Sequence, residues 1–225
     1  MAKKLITEID VQEAAKRGVK TLAVEPGTII TPSARDAALR SNIEFSTHVA
    51  QAGSVPSVGT VTTYSPKDKK SANANTVIAV GADHGGYPMK EQLKNYLLDL
   101  GYSVADVGTN SDQPCDYPDF AFAVASLVSA GQAAKGIMVD GVGVASAMVA
   151  NKVPGIRAAH CSDEFTARSS REHNDANILT LGGRVLGAEA AKAIVKAWLE
   201  TWFGGGRHQS RVQKITDIEK RFGSR

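Results

Sequence analysis

The chain has 225 residues, 43% hydrophobic and 22% charged, with a formal net charge of +3. That length holds one good-sized α/β domain with something small beside it, and the balance is that of an ordinary globular protein. The mild, interspersed charge argues against nucleic acid, no apolar run approaches the ~18 residues of a membrane span, and MAKKLITEID lacks the apolar core of a secretory signal. Cys115 and Cys161 make neither a disulfide framework nor a zinc spacing, which points to a reduced, cytoplasmic setting.

Residues 1–47 read as a small separate unit. Thr7 caps a helix expected over 10–17, which Gly18 ends. A short strand over 21–24 is followed by a Pro26-Gly27 turn, and Ser33 caps a second helix over 34–40. So small a piece must lean on another surface, and it carries no cluster of acid, base or nucleophile. It reads as a docking or association appendage. Residues 48–75, rich in Ser, Thr, Gly, Ala and Pro, have the composition of a flexible linker.

From residue 76 to the end the pattern becomes regular. Strands are expected at 77–80, 104–107, 136–139, 155–159 and 178–181. Between and after them come helices over 88–100, 120–130, a small-residue stretch to 152, 163–172, 188–203 and 211–221. Five strands alternating with helices predict an α/β fold with a doubly wound five-stranded parallel sheet.

The central unit is GIMVDGVGVASAMVANKVPGIRAAH, residues 136–160. A strand ends at Asp140, a turn follows through Gly141 and Gly143, and a helix and strand close the unit. Glycines let backbone N–H groups approach a ligand, and the helix N-terminus behind them favours an anion or an oxyanion. Other polar groups sit at matching places: Asp83 and His84 after the first strand, His173 and Asn174 before the fifth, Arg184 after it. Strand ends of this kind line one crevice in an open α/β sheet. Near the C-terminus a glycine run precedes Arg207 and Arg211, one helical turn apart, whose planar forks suit a phosphate. This residue set fits proton transfer on a phosphorylated small molecule. No ligand set with metal spacing appears, since His160 and Cys161 lack further partners.

Residues 76–225 resemble the ribose-5-phosphate isomerase B and galactose-6-phosphate isomerase family. The matching segments are G-A-D-H-G-G-Y with Lys90, D-Y-P at 116–118, A-N-K-V-P-G-I-R-A, S-R-E-H-N-D-A-N-I-L, G-G-R-V-L-G and G-G-R-H-Q-S-R, in family order. The resemblance implies a Rossmann-like domain in homodimers with shared active sites, interconverting aldose and ketose phosphates through an enediolate without metal or cofactor. It implies that Asp83, His84 and Tyr117 hold the sugar. It gives His173 ring opening, with Asn174 beside it from the partner subunit, and Arg184, Arg207 and Arg211 the phosphate. The turn with Gly141, Gly143 and Ala145 would supply N–H groups to the enediolate oxygen.

Three positions depart from that pattern. Asp140 stands where these isomerases commonly place a cysteine base, Val142 where they place a threonine, and Ala145 where they place a glycine. Burial against Val139 and Val142 is expected to raise the Asp140 pKa and nearby arginines to lower it. Two readings follow: a variant isomerase with Asp140 as base, or a sugar-phosphate-binding or scaffold protein without isomerase activity. A nucleotide-binding dehydrogenase fits worse, because G-V-G-V-A-S lacks the third glycine and lies outside the first βα unit. The first 47 residues resemble a short module on enzymes of bacterial microcompartments, and TPSARDAALRSNIEF is similar to the small subunit-binding domains of acyltransferase complexes. Either likeness implies a shell or enzyme partner.

Overall fold

The computed structural model describes residues 5–24, 28–46, 61–68 and 70–222. The Pro26-Gly27 turn and residues 48–60 of the expected linker lie outside them.

The N-terminal unit runs β1 (Leu5–Ile6), α1 (Glu8–Lys16), β2 (Thr21–Ala23), β3 (Ile29–Ile30), α2 (Pro32–Ser41) and β4 (Glu44–Ser46). β1 pairs with β3 and β2 with β4, both in parallel. Val11, Leu22, Ala34, Ala38 and Ile43 form its core between the two helices. α1 starts two residues earlier than expected. The Asp10 carboxylate, at N3, accepts the Thr7 N–H at 2.8 Å and the Thr7 hydroxyl at 2.7 Å, drawing residues 8 and 9 into the first turn. α2 is capped by Thr31, not Ser33. Thr31 Oγ1 accepts the Ala34 N–H at 3.1 Å, and Pro32 at N1 fixes the helical φ before Ser33 is reached.

The larger domain alternates β6 (Val77–Ala82), α3 (Tyr87–Asp99), β7 (Ser103–Asp106), α4 (Tyr117–Ser129), β8 (Lys135–Asp140), α5 (Val144–Ala150), β9 (Ala158–His160), α6 (Glu164–Asn174), β10 (Ile178–Gly182), α7 (Ala188–Glu200) and α8 (Arg207–Phe222). Before it comes β5 (Thr62–Tyr64), inside the stretch read as linker. β5 pairs antiparallel with β7, so the sheet has six strands in the order β5-β7-β6-β8-β10-β9. The remaining five are parallel. The strand is short, and its two threonines and polar surroundings conceal it in a composition reading.

Strands β8 and β10 are buried on both faces, as a parallel sheet sandwiched between helices requires. On one face, Leu93 and Leu97 of α3, Ala167 of α6 and Trp198 of α7 pack on Ile78, Val80 and Leu181. On the other, Ala121, Val124 and Ala125 of α4 cover Ala79, Met138 and Ile178. The chain leaves β6 for β7 on one side and reaches β8 on the other. The topological switch therefore falls between β6 and β8, where open sheets bind ligands.

Under this edge lies a buried charge cluster. Lys90 Nζ, 1% exposed, donates to both Asp106 oxygens at 2.7 Å, and Lys94 Nζ joins at 2.9 Å. Asp106 Oδ1 also accepts the Gly108 N–H at 3.0 Å, tying the cluster to the loop after β7.

Candidate active site

The β6 and β8 turns interlock closely. A Cβ on Gly86 would collide with the Val139 carbonyl oxygen, and one on Gly143 would lie 2.5 Å from the His160 ring. Gly143 also has φ +90°, so both position and conformation demand glycine there. The Asp83 N–H donates to the Val139 oxygen at 3.2 Å, and the Gly183 N–H to the Asp140 oxygen at 2.7 Å. The structure thus brings Asp83, His84, Asp140, Gly141, Gly143 and Arg184 to one edge.

Asp140 is 4% exposed, and its carboxylate is turned into its own loop. Oδ1 accepts the N–H of Val142 at 2.8 Å and that of Gly143; Oδ2 accepts the Ser146 N–H at 3.0 Å and the Ser146 hydroxyl. Burial pushes its pKa up, but the Ser146 hydroxyl with the three N–H groups outweighs burial and holds the carboxyl below its ordinary 3.8. Hydrogen bonds within the loop, not arginines, overturn the expected effect of burial. Gly143, expected to offer its N–H to a substrate oxygen, spends it on Asp140. Ala145 is half-buried in α5, and Val142 is 56% exposed beside it.

Asp83 behaves oppositely. Burial and the neighbouring Asp140 charge push its carboxyl up, only partly offset by the Gly86 N–H, which donates to Oδ1 at 3.0 Å. His84 Nδ1 lies 3.2 Å from the Cys115 N–H and 3.1 Å from the Cys115 carbonyl oxygen. Without a proton, Nδ1 accepts the first; carrying one, it donates to the second. Burial pushes the Cys115 thiol up, leaving it protonated and a poor nucleophile at neutral pH. Tyr117 opens α4, half-buried against that helix's core. Arg184 is exposed and held over the glycine turn by its N–H bond to the Gly141 oxygen at 3.1 Å.

The other candidates form a second group. His173 on α6 stacks on His208 of α8, with ring centroids 4.3 Å apart, and its Nδ1 meets Ser169 Oγ at 3.2 Å. Arg207 opens α8 and Arg211 follows one turn later, both exposed; the preceding Gly205 and Gly206 have positive φ and release the chain into the helix at 207 rather than 211. Asn174 is exposed, and its carbonyl oxygen accepts Arg157 Nε at 3.1 Å. Among the described residues, no hydrogen bond or ion pair joins this group to Asp83, His84 or Asp140. Nor do three His, Cys, Asp or Glu side chains there converge as a metal site would require.

Sequence reasoning missed Ser146, whose place at N3 of α5 is where a side chain reaches back to a helix start. It also missed Glu8, Ile9 and Gln12 of α1. With His84, Cys115 and Asp116 they line a cavity of about 220 Å³ beside the site. No local signal in 1–47 points to this; only the docking of the unit does.

Residues 78–215 match the ribose/galactose isomerase family. The chain is 47% identical to Escherichia coli ribose-5-phosphate isomerase B over 144 residues, 64% of this chain and 97% of that protein. It is 40% identical to the D-erythrulose-4-phosphate isomerase of Pectobacterium atrosepticum, over 61% of this chain and 91% of that one. Its fold is similar to the structure of Clostridium thermocellum ribose-5-phosphate isomerase B, with a TM-score of 0.65 and 50% identity over 65% of this chain and 99% of that one. The glycine-turn edge at the switch point, the motif order and these likenesses agree: the chain belongs to the ribose/galactose isomerase family.

Proposed function

We propose that the protein is a metal- and cofactor-independent aldose–ketose isomerase of a phosphorylated sugar, of the ribose 5-phosphate/ribulose 5-phosphate type. The observation that carries this reading is the meeting of Asp83, His84, Asp140 and Arg184 at the switch point of a chain of this family. Asp140, in the base position, takes the proton from the carbon beside the carbonyl. The resulting enediolate is reprotonated at the former carbonyl carbon. Asp83, His84 and Tyr117 hold the sugar.

The reading includes a homodimer. A second copy brings its His173 and Asn174 to this edge for ring opening, and its Arg207 and Arg211 to join Arg184 on the phosphate. Two observations support it: the separation of the two residue groups within one chain, and the apolar surface of Val144 and Met148, 41% and 62% exposed, beside the turn. Residues 1–47 would in addition recruit the enzyme to a larger assembly, a shell or partner enzyme of the cytoplasm. Loss of co-localisation on removing them, with activity kept, is the expected result.

One observation favours a second reading. Asp140 already accepts four hydrogen bonds, which suits a sugar-phosphate-binding protein that has given up isomerisation. Solvent-deuterium exchange into pentose and hexose phosphates, followed by NMR, separates the two. Isomerisation predicts exchange that Asp140→Asn abolishes. Saturable binding without exchange establishes the binding protein instead.

A further inference from the structure

The cavity between α1 and the segment before α4 belongs to neither unit alone. Glu8, Ile9 and Gln12 form one wall; His84, Cys115 and Asp116 form the other. His84 is pinned to Cys115, and Asp116 precedes Tyr117, so the second wall is built from the sugar-holding side of the site. At about 220 Å³ the cavity has room for part of a sugar.

The α1 wall is held in place. Leu5, 1% exposed, packs in the same core as Ala121 and Ala125 of α4. The Ser33 and Thr31 hydroxyls and the Glu8 N–H face the buried Asp119 carboxylate in the first turn of α4. On the wall itself, Gln12 Nε2 donates to Glu8 Oε1 at 3.1 Å, and Arg40 Nη2 donates to the same oxygen at 2.9 Å. The family match begins at residue 78, and the E. coli and C. thermocellum relatives are covered over 97% and 99% of their length by 64% and 65% of this chain. The wall lies outside everything those relatives share with it.

We propose that the N-terminal unit is a substrate-selecting wall of the isomerase site: Ile9 and Gln12 close the cavity at His84 and admit phosphorylated sugars of four or five carbons over hexose phosphates. This rests on the isomerase reading. Adding one hydroxymethylene unit to the sugar pushes atoms against a side-chain wall, and a discrimination of about tenfold or more follows from one such group.

The test measures kcat/KM of the full chain and of Ile9→Ala, Gln12→Ala and Gln12→Trp against tetrose, pentose and hexose phosphates. Both positions are exposed enough for the variants to fold, and Leu39→Ala, exposed on α2 and away from the cavity lining, is the control. The alanine variants are expected to raise the hexose-to-pentose ratio of kcat/KM about tenfold, mainly through a lower hexose KM. Gln12→Trp is expected to lower kcat/KM for pentose phosphate, and Leu39→Ala to leave the ratio at its wild-type value. A wild type that turns over a sugar phosphate while the ratio stays fixed in all three wall variants overturns this inference alone. A wild type inactive on the whole panel overturns the isomerase reading, and the selecting wall with it.

Discussion

Asp83 and Asp140 stand at the carboxyl ends of adjacent strands, joined through the Asp83 N–H bond to the Val139 oxygen, and their surroundings drive their proton affinities apart. Asp83 is raised by burial and by the Asp140 charge; Asp140 is lowered by four donors of its own loop, against burial. Carboxylates separated in this way divide acid and base tasks. As pH falls, Asp83 takes up a proton before Asp140 and then presents an O–H donor in place of one of the carboxylate acceptors that hold a sugar hydroxyl. The acid limb of kcat/KM against pH is therefore expected above 3.8, the ordinary aspartate value. It should disappear in Asp83→Asn. A limb unchanged in that variant rejects the assignment.

Asp140→Asn should weaken the fold as well as the chemistry. An amide nitrogen in place of one oxygen faces backbone donors instead of accepting them, at a cost of about 1–3 kcal/mol. The sign with pH follows from the lowered pKa. The charge contributes its full stability above the unfolded value near 3.8, and that contribution is lost as pH falls through the lower folded value. Urea unfolding at pH 7 should separate wild type from variant, and unfolding near pH 3 should narrow the gap.

Asp106→Ala leaves two ammonium groups, Lys90 and Lys94, without their shared buried acceptor. Lys90 keeps the contact with Glu91 at 2.9 Å and its place over the Tyr87 ring. Breaking a buried pair from one side costs about 3–5 kcal/mol, while replacing all three residues by apolar ones of similar volume recovers most of it. Comparing the single and triple variants by denaturant melts checks both parts.

Truncations at Val61 and Thr76 should differ, although both remove the N-terminal unit. The Val61 start keeps β5, which pairs with β7 from Asp106 to Val104, and keeps Val61 itself, 9% exposed. The Thr76 start uncovers the β7 edge, an invitation to pairing between chains. It should melt lower, by about 2–4 °C for each kcal/mol lost, and aggregate sooner. Equal melting points would show that β5 adds no stability.

The regular part of the fold was legible because burial in a parallel sheet imposes continuous apolar strands, and glycine or proline marks where they turn. That logic located β6, β7, β8 and β10 and the helices between them, and it put Asp83, His84, Asp140 and Arg184 at one edge. It failed for β5, whose short polar strand owes its existence to the free edge of β7. It failed for α2, where Pro32 moved the cap to Thr31. Composition cannot reveal either, since each depends on what the segment meets.

The sequence by itself determined the parallel strands of the sheet, the order of the motifs and the membership in a family, because local periodicity and motif spacing survive without knowledge of contacts. Only the tertiary structure decided how the Asp140 carboxylate is bonded and which residues line the cavity beside His84. Asp140 is held low by donors up to six residues ahead, which reach it only once the turn and α5 have formed. The wall of Ile9 and Gln12 exists because Leu5 and Thr31 dock on a helix far along the chain. The first depends on a turn and helix start that periodicity does not describe, the second on packing between segments far apart in the chain.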